Sequence, residues 1–150
     1  MQNNPHTTLI TATAPVSPDT HGGRTKCLQR LVRLDLPVPR TVGLSFEAVH
    51  NIARGDMPDM PLLLSPFEAG EMLCVRPSSE DPDWGGPSAI LNIGMNEARF
   101  DDFAKRLGKD VAASLYARFV HSYSIQVARL DPDVFDEIYS TVFNNCLYIL

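Results

Sequence analysis

The sequence predicts a mixed α/β fold, with α+β as its variant: a mixed sheet flanked by helices, followed by a helical C-terminal half. Three observations predict it. Short apolar runs at 41–44, 72–75 and 89–93 alternate with segments of helical period. From Asn96 onward the pattern is helical throughout. Apolar residues make up 44% of the 150, enough for the core of one ordinary domain.

The elements follow in order. Residues 1–20, rich in Thr, Asn and Pro, read as a flexible lead with an edge strand at 8–14, and the domain proper is 21–150. Gly22 and Gly23 form a tight turn. An amphipathic helix follows at 25–34, with Cys27, Leu28, Leu31 and Val32 on one face, and Leu36-Pro37-Val38-Pro39 ends it because proline cannot continue a helix. A strand is predicted at 41–44. Ser45 is placed to cap a helix at 46–54, with Phe46, Val49, Ile52 and Ala53 inward and Gly55 as its stop. The Pro- and Met-rich stretch 56–70 crosses the surface. Two strands, a buried one at 72–75 and another at 89–93, flank a Pro/Ser/Asp/Gly loop at 77–87. Asn96 caps a helix through Leu107, with Phe100, Phe103, Ala104 and Leu107 inward and Gly108 as the stop. Further helices run over 109–127 and 132–142, the second starting at Asp131-Pro132.

Charge and composition exclude several classes. The net charge of −5 argues against general nucleic-acid binding. No apolar run reaches the roughly 18 residues that span a bilayer. The N-terminus has neither a basic start nor a long apolar centre, so it does not read as a secretory signal. The three cysteines, Cys27, Cys74 and Cys146, are widely spaced. Two sit on apolar faces and read as reduced core residues, which points to the cytoplasm. The four histidines lack metal-ligand spacing, and His121 reads as a packed or surface residue. The acids Asp131, Asp133, Asp136 and Glu137 could hold a divalent metal, but the helix start beside them favours capping and solvation. Trp84 either covers a purine ring or packs on the domain.

Two segments carry the chemistry. Arg76 follows a strand and opens a Ser- and Gly-rich loop, a common way to present a fixed cation to a phosphate, because a guanidinium stays charged and binds two oxygens at once. The bland alternative is a surface hairpin with a solvated arginine. Gly22 and Gly23, with Arg24 at a helix start, form an anion site in which free backbone N–H groups and the helix dipole face the ligand. Residues 21–40 hold five basic side chains, Arg24, Lys26, Arg30, Arg33 and Arg40, against one acid, Asp35.

Together these segments resemble the start of the nucleotide-binding domain of the pyruvate, phosphate dikinase and phosphoenolpyruvate synthase family. There a Gly-Gly-Lys-Gly turn leads into a helix and a Gly-Leu-Pro-Val-Pro stop. Here Gly22-Gly23-Arg24-Thr25 leads to Asp35-Leu36-Pro37-Val38-Pro39. The family's Val-Arg-Ser block is similar to Val75-Arg76-Pro77, and its closing Ile-Leu-Asn-Leu-Gly-Leu-Asn-Asp to Ile90-Leu91-Asn92-Ile93-Gly94-Met95-Asn96-Glu97. Arg118-Phe119-Val120-His121-Ser122-Tyr123 resembles a third block, and the likeness runs over about residues 21–136. The departures are Arg24 for lysine, Thr25 for glycine, and an acidic loop beginning Glu80-Asp81.

The resemblance implies an incomplete ATP-grasp-like domain. It implies ATP and Mg²⁺ as cofactors, with Gly22, Gly23, Arg24 and Arg76 as nucleotide-binding residues sharing one triphosphate. The family transfers phosphoryl groups from ATP to a histidine and on to pyruvate. Its metal-binding acids, phosphohistidine domain and pyruvate-binding barrel lie beyond the part that this chain matches. The sequence therefore reads as a fragment with no catalytic residue of its own, and pyruvate is a partner only through those other domains. The alternative is a non-catalytic remnant or docking module that binds nucleotide weakly or not at all. On the fragment reading the apolar residues Phe135, Ile138, Tyr139, Val142, Phe143 and Leu147 lack partners, so the chain is expected to self-associate or to be marginally stable, with the segment after Ile138 poorly packed.

Overall fold

The computed structural model describes residues 6–79 and 88–146, without the side chains of 138, 139 and 142–146. The Trp84 and loop-acid readings, and most of the apolar tail reading, fall outside the described residues. The chain divides into two compact units rather than one domain: Met1–Ala69 with Ser78–Gly86, and Gly70–Pro77 with Pro87–Leu150. The class is mixed α and β. The described strands form two small antiparallel pairs, not one mixed sheet.

In the first unit, β1 (Thr7–Leu9) pairs antiparallel with β2 (Val42–Leu44), Thr7 opposite Leu44 and Leu9 opposite Val42. The segment read as a flexible lead is therefore structured from β1 onward. Ile10, Ala14 and Val16 form the buried cluster of this unit, with Leu28 packed on it. Helix α1 (Pro18–Arg33) starts earlier than expected, with Ser17 at its N-cap and Pro18 in its first turn. Its helical geometry breaks at Gly22, whose φ of 81° and ψ of 163° keep the expected Gly-Gly turn as a kink inside the helix.

The buried face of α1 is not the apolar one. His21, Thr25 and Gln29 are buried, while Cys27 is exposed. The cause lies in the Thr11–Val16 connection, whose carbonyl groups need donors. Gln29, fully buried, donates through Nε2 to the Thr11 and Ala14 carbonyls. Lys26 Nζ donates to Val16 O at 3.0 Å and to Gln29 Oε1 at 2.7 Å, and Arg33 Nε donates to Ala12 O at 2.7 Å. These polar side chains turn α1 so that its polar rung faces inward.

Helix α2 (Phe46–Ala53) begins as expected, with Ser45 Oγ accepting from Ala48 N at 3.1 Å. Its buried residue is Ala48, whereas Val49 is exposed. The surface crossing at 56–70 contains a further short helix, α3 (Met60–Leu64), capped by Asp59. Its Met60, Leu62 and Leu64 are exposed, and Arg40 Nη1 donates to Pro66 O just beyond it.

In the second unit, β3 (Leu73–Val75) pairs antiparallel with β4 (Ile90–Ile93). Leu73 faces Ile93 and Val75 faces Ile90, so β4 holds one extra residue, a β-bulge. Asn92 takes the strain at φ 55°, a conformation that Asn tolerates, and its Nδ2 donates to Leu115 O at 3.1 Å. The freed Leu91 N–H donates to Ser122 Oγ at 3.2 Å. The expectation of a buried strand at 72–75 is corrected: Cys74 and Val75 are exposed, because this two-stranded pair is covered only in part.

Asn96 caps α4 (Glu97–Leu107) by accepting from Arg99 N at 3.0 Å, and Gly108 stops it. Met95, Phe103 and Ala112 form the core, with Met72, Phe100, Ala104, Tyr116 and Phe119 packed around it, while Leu107 is exposed. Arg99 donates to the carbonyls of Gly70 and Gly94 and lies over the Phe103 ring at 4.9 Å. Helix α5 (Lys109–Gln126) packs on α4 and β4, and α6 (Pro132–Cys146) packs on α5. His121 Nε2 meets Asp136 Oδ1 at 2.7 Å across α5 and α6. Asp131 Oδ1 accepts from Asp133 N at 3.0 Å, the capping role expected of that acid.

Replacing Gln29 by Leu keeps the bulk but removes the side-chain donor to the Thr11 and Ala14 carbonyls, which keep the local Ala14 and Val16 N–H groups. Urea denaturation should show a loss of about 0.5–1.5 kcal/mol per bond. An unchanged midpoint would show that the buried carboxamide does not hold the connection.

Candidate functional site

The helix start after the kink carries the candidate site. At Gly22 the chain turns so sharply that a Cβ would lie 2.7 Å from the carbonyl carbon of Ser78 and 2.8 Å from Ser79 N, on a backbone with φ 81°. Only glycine fits both demands. Gly23 is roomier: a Cβ there would meet nothing nearer than Ser79 O at 3.7 Å.

The Ser78–Ser79 segment sits on this turn within the same unit. Gly23 N–H donates to Ser79 O at 2.8 Å. Thr25 N–H donates to Ser78 Oγ at 3.3 Å, and Thr25 Oγ1 donates to the same oxygen at 3.4 Å. Two of the first N–H groups after the kink are therefore satisfied by a segment 53 residues away in the chain. Thr25, a departure from the family pattern, has a use here: its hydroxyl reaches Ser78.

Arg24 is exposed on the same turn. Arg76 directly follows β3, as expected, and is also exposed, with Nε donating to Cys74 Sγ at 3.4 Å. Gly22, Gly23 and Arg24 belong to the first unit and Arg76 to the second. Of the basic side chains in 21–40, Lys26, Arg33 and Arg40 donate to the backbone carbonyls of Val16, Ala12 and Pro66.

The sequence reading missed His21, Ser78 and Ser79. His21 precedes Gly22 and is buried. Its Nδ1 lies 2.8 Å from Thr20 Oγ1, while its Nε2 is buried without a hydrogen-bond partner. Burial pushes its pKa below the usual histidine range. The signal for Ser78 and Ser79 was their position just after Arg76-Pro77, and for His21 its place at the head of the Gly-Gly turn.

Among the described residues, no group of three or more His, Cys, Asp or Glu could hold a metal ion. Among the same residues, no helix is long and apolar enough to cross a membrane. No protein-family model and no curated protein matches the chain.

Gly22→Ala should destabilise the protein by about 1–3 kcal/mol through the left-handed backbone and the clash with Ser78, whereas Gly23→Ala should be near neutral. Equal effects in thermal melts would show that the kink does not require Gly22. For His21 the sign follows from its lowered folded-state pKa. Its neutral form is fully present in both states above about pH 6.5, and stability falls as pH drops below that value toward the folded pKa. His21→Asn, which keeps a polar atom at the Nδ1 position, should flatten this part of the stability profile.

Proposed function

We propose that the chain is a phosphate-binding portion of an ATP-grasp-like nucleotide-binding domain, similar to that of the pyruvate, phosphate dikinase and phosphoenolpyruvate synthase family. ATP is its ligand. The observation that carries this reading is the seating of Ser78 and Ser79 on the Gly22–Thr25 turn. Ser78 and Ser79, which directly follow Val75-Arg76-Pro77 in the chain, thus meet the Gly-Gly turn within one compact unit, while the residues quoted for the second block belong to the other unit. The Gly23 and Thr25 amides lie on this turn, where Ser79 O and Ser78 Oγ accept from them, and Arg24 is an exposed cation beside them. Arg76, at a strand end in the other unit, is a phosphate-binding candidate on the resemblance alone.

In this reading the chain's own residues bind and orient; they perform no transfer. The phosphocarrier histidine and the pyruvate site belong to other domains of such enzymes. The chain alone should form no phosphoenolpyruvate from ATP, phosphate and pyruvate.

A second reading is a non-catalytic docking module. It is favoured by the exposed apolar residues Val120, Tyr123 and Val127, which recur at helical spacing on and just after α5, and by Leu130 and Val134 beyond them. Sedimentation that shows self-association, reduced by Val120→Ser, together with no heat on adding ATP and Mg²⁺, would favour this reading.

Calorimetry with ATP and Mg²⁺ tests the first reading. Arg24→Ala and Arg76→Ala should each lose about 1.5–3 kcal/mol of binding, tenfold or more in Kd. Arg30→Ala, an exposed helix arginine, should change little. Arg33 is unsuitable as that control, because it holds the Ala12 carbonyl. Equal losses from all three variants would mean that only diffuse charge matters.

A further inference from the structure

The contact between Ser78–Ser79 and the start of the post-kink helix includes the Gly23 and Thr25 amides, and a titratable ring lies one residue before the kink. His21 is one residue before the Gly22 kink and packs against β2. A Cβ placed on Gly43 would lie 3.4 Å from His21 Cδ2 and 3.1 Å from Thr25 Cγ2. The ring and the threonine that reaches Ser78 therefore share one wall, the bare backbone of Gly43. Neither can move far without disturbing the other.

A proton on both ring nitrogens would be unfavourable here. Nδ1 is paired with Thr20 Oγ1, and among the described residues the buried Nε2 has no hydrogen-bond partner. As the neutral Nδ1–H tautomer, His21 leaves only a lone pair unsatisfied. A proton on Nε2 would create a buried cationic donor with no acceptor, which is far costlier. Among the described residues, α1 is packed against by α2 and β2, by the Thr11–Val16 connection, which has no ionisable side chain, and by Ser78–Ser79. Their ionisable residues are Glu47 and His50 on α2, and none on β2. On α1 itself the nearby charges are Asp19, Arg24 and Lys26, and Lys26 is held by Val16 and Gln29. His6, ahead of β1, lies 3.8 Å from Glu47. None of these accepts a hydrogen bond from Nε2.

We propose that the Ser78–Ser79 segment is an acid-releasable latch on the start of the post-kink helix, with His21 as its proton sensor. On protonation the ring leaves its place against Gly43 and α1 rotates about Gly22. Thr25 then loses its alignment with Ser78, and the Gly23 and Thr25 amides are freed. The latch stands on the geometry of one unit and needs no nucleotide. If the proposed phosphate site is also correct, release would uncover amides at that same site.

Amide hydrogen exchange on the full chain without nucleotide tests it. Protection factors of Gly23 and Thr25 should fall below about pH 6.5, by up to about tenfold per pH unit for one linked proton. Ile10, whose N–H donates to Thr41 O at 2.9 Å, should stay protected and so report that the unit remains folded. His21→Asn should hold Gly23 and Thr25 protected across the range. The latch is overturned if wild-type protection is flat, if Ile10 loses protection in step, or if His21→Asn loses protection as the wild type does. Should that variant not fold, the wild-type His21 Cε1–H resonance gives the same decision. Its titration midpoint must coincide with the loss of protection at Gly23, and a mismatch overturns the proposal.

Discussion

The carbonyl groups of the Thr11–Val16 connection must be satisfied, and α1 supplies side-chain donors to four of them, adding to the local Ala14 and Val16 N–H groups that donate to Thr11 and Ala14. Gln29 reaches Thr11 and Ala14, Lys26 reaches Val16, and Arg33 reaches Ala12. An unpaired buried carbonyl costs about as much as a lost hydrogen bond, so this rung sets the rotation of the helix about its axis. Once α1 is so turned, Leu28 lies on Ile10, Ala14 and Val16, Thr25 and His21 face Gly43, and Cys27 is left in water. The position of the Gly22–Thr25 turn follows from that rotation.

The same accounting explains why a basic stretch is not by itself a binding surface. Three of its cations hold backbone carbonyls, and their charges serve the fold. Arg24 sits exposed on the Gly22–Thr25 turn. In the second unit Arg99 plays a comparable structural part, tying the Gly70 and Gly94 carbonyls and covering Phe103. Its value was not visible from composition, since an arginine in the first turn of a helix reads as solvated surface.

Local signals were read well because they depend on few residues. Ser45 and Asn96 cap their helices, Gly108 stops α4, and Asp131 caps ahead of Pro132, each through contacts within a few positions. The Gly22–Gly23 turn was legible for the same reason. Burial was read less well. Val49, Val75 and Leu107 are apolar yet exposed, because small two-stranded pairs and short helices cannot cover every apolar face.

The sequence by itself determined the order and kind of most elements, the helix ends, and the break at Gly22, since these follow from backbone sterics and short-range hydrogen bonds. The tertiary structure decided which side of each helix is buried, the division into two units, and the meeting of Ser78 and Ser79 with Gly23 and Thr25. Those outcomes depend on which distant carbonyl finds which donor, and on where a bare glycine backbone lets two side chains approach. No local pattern encodes that pairing.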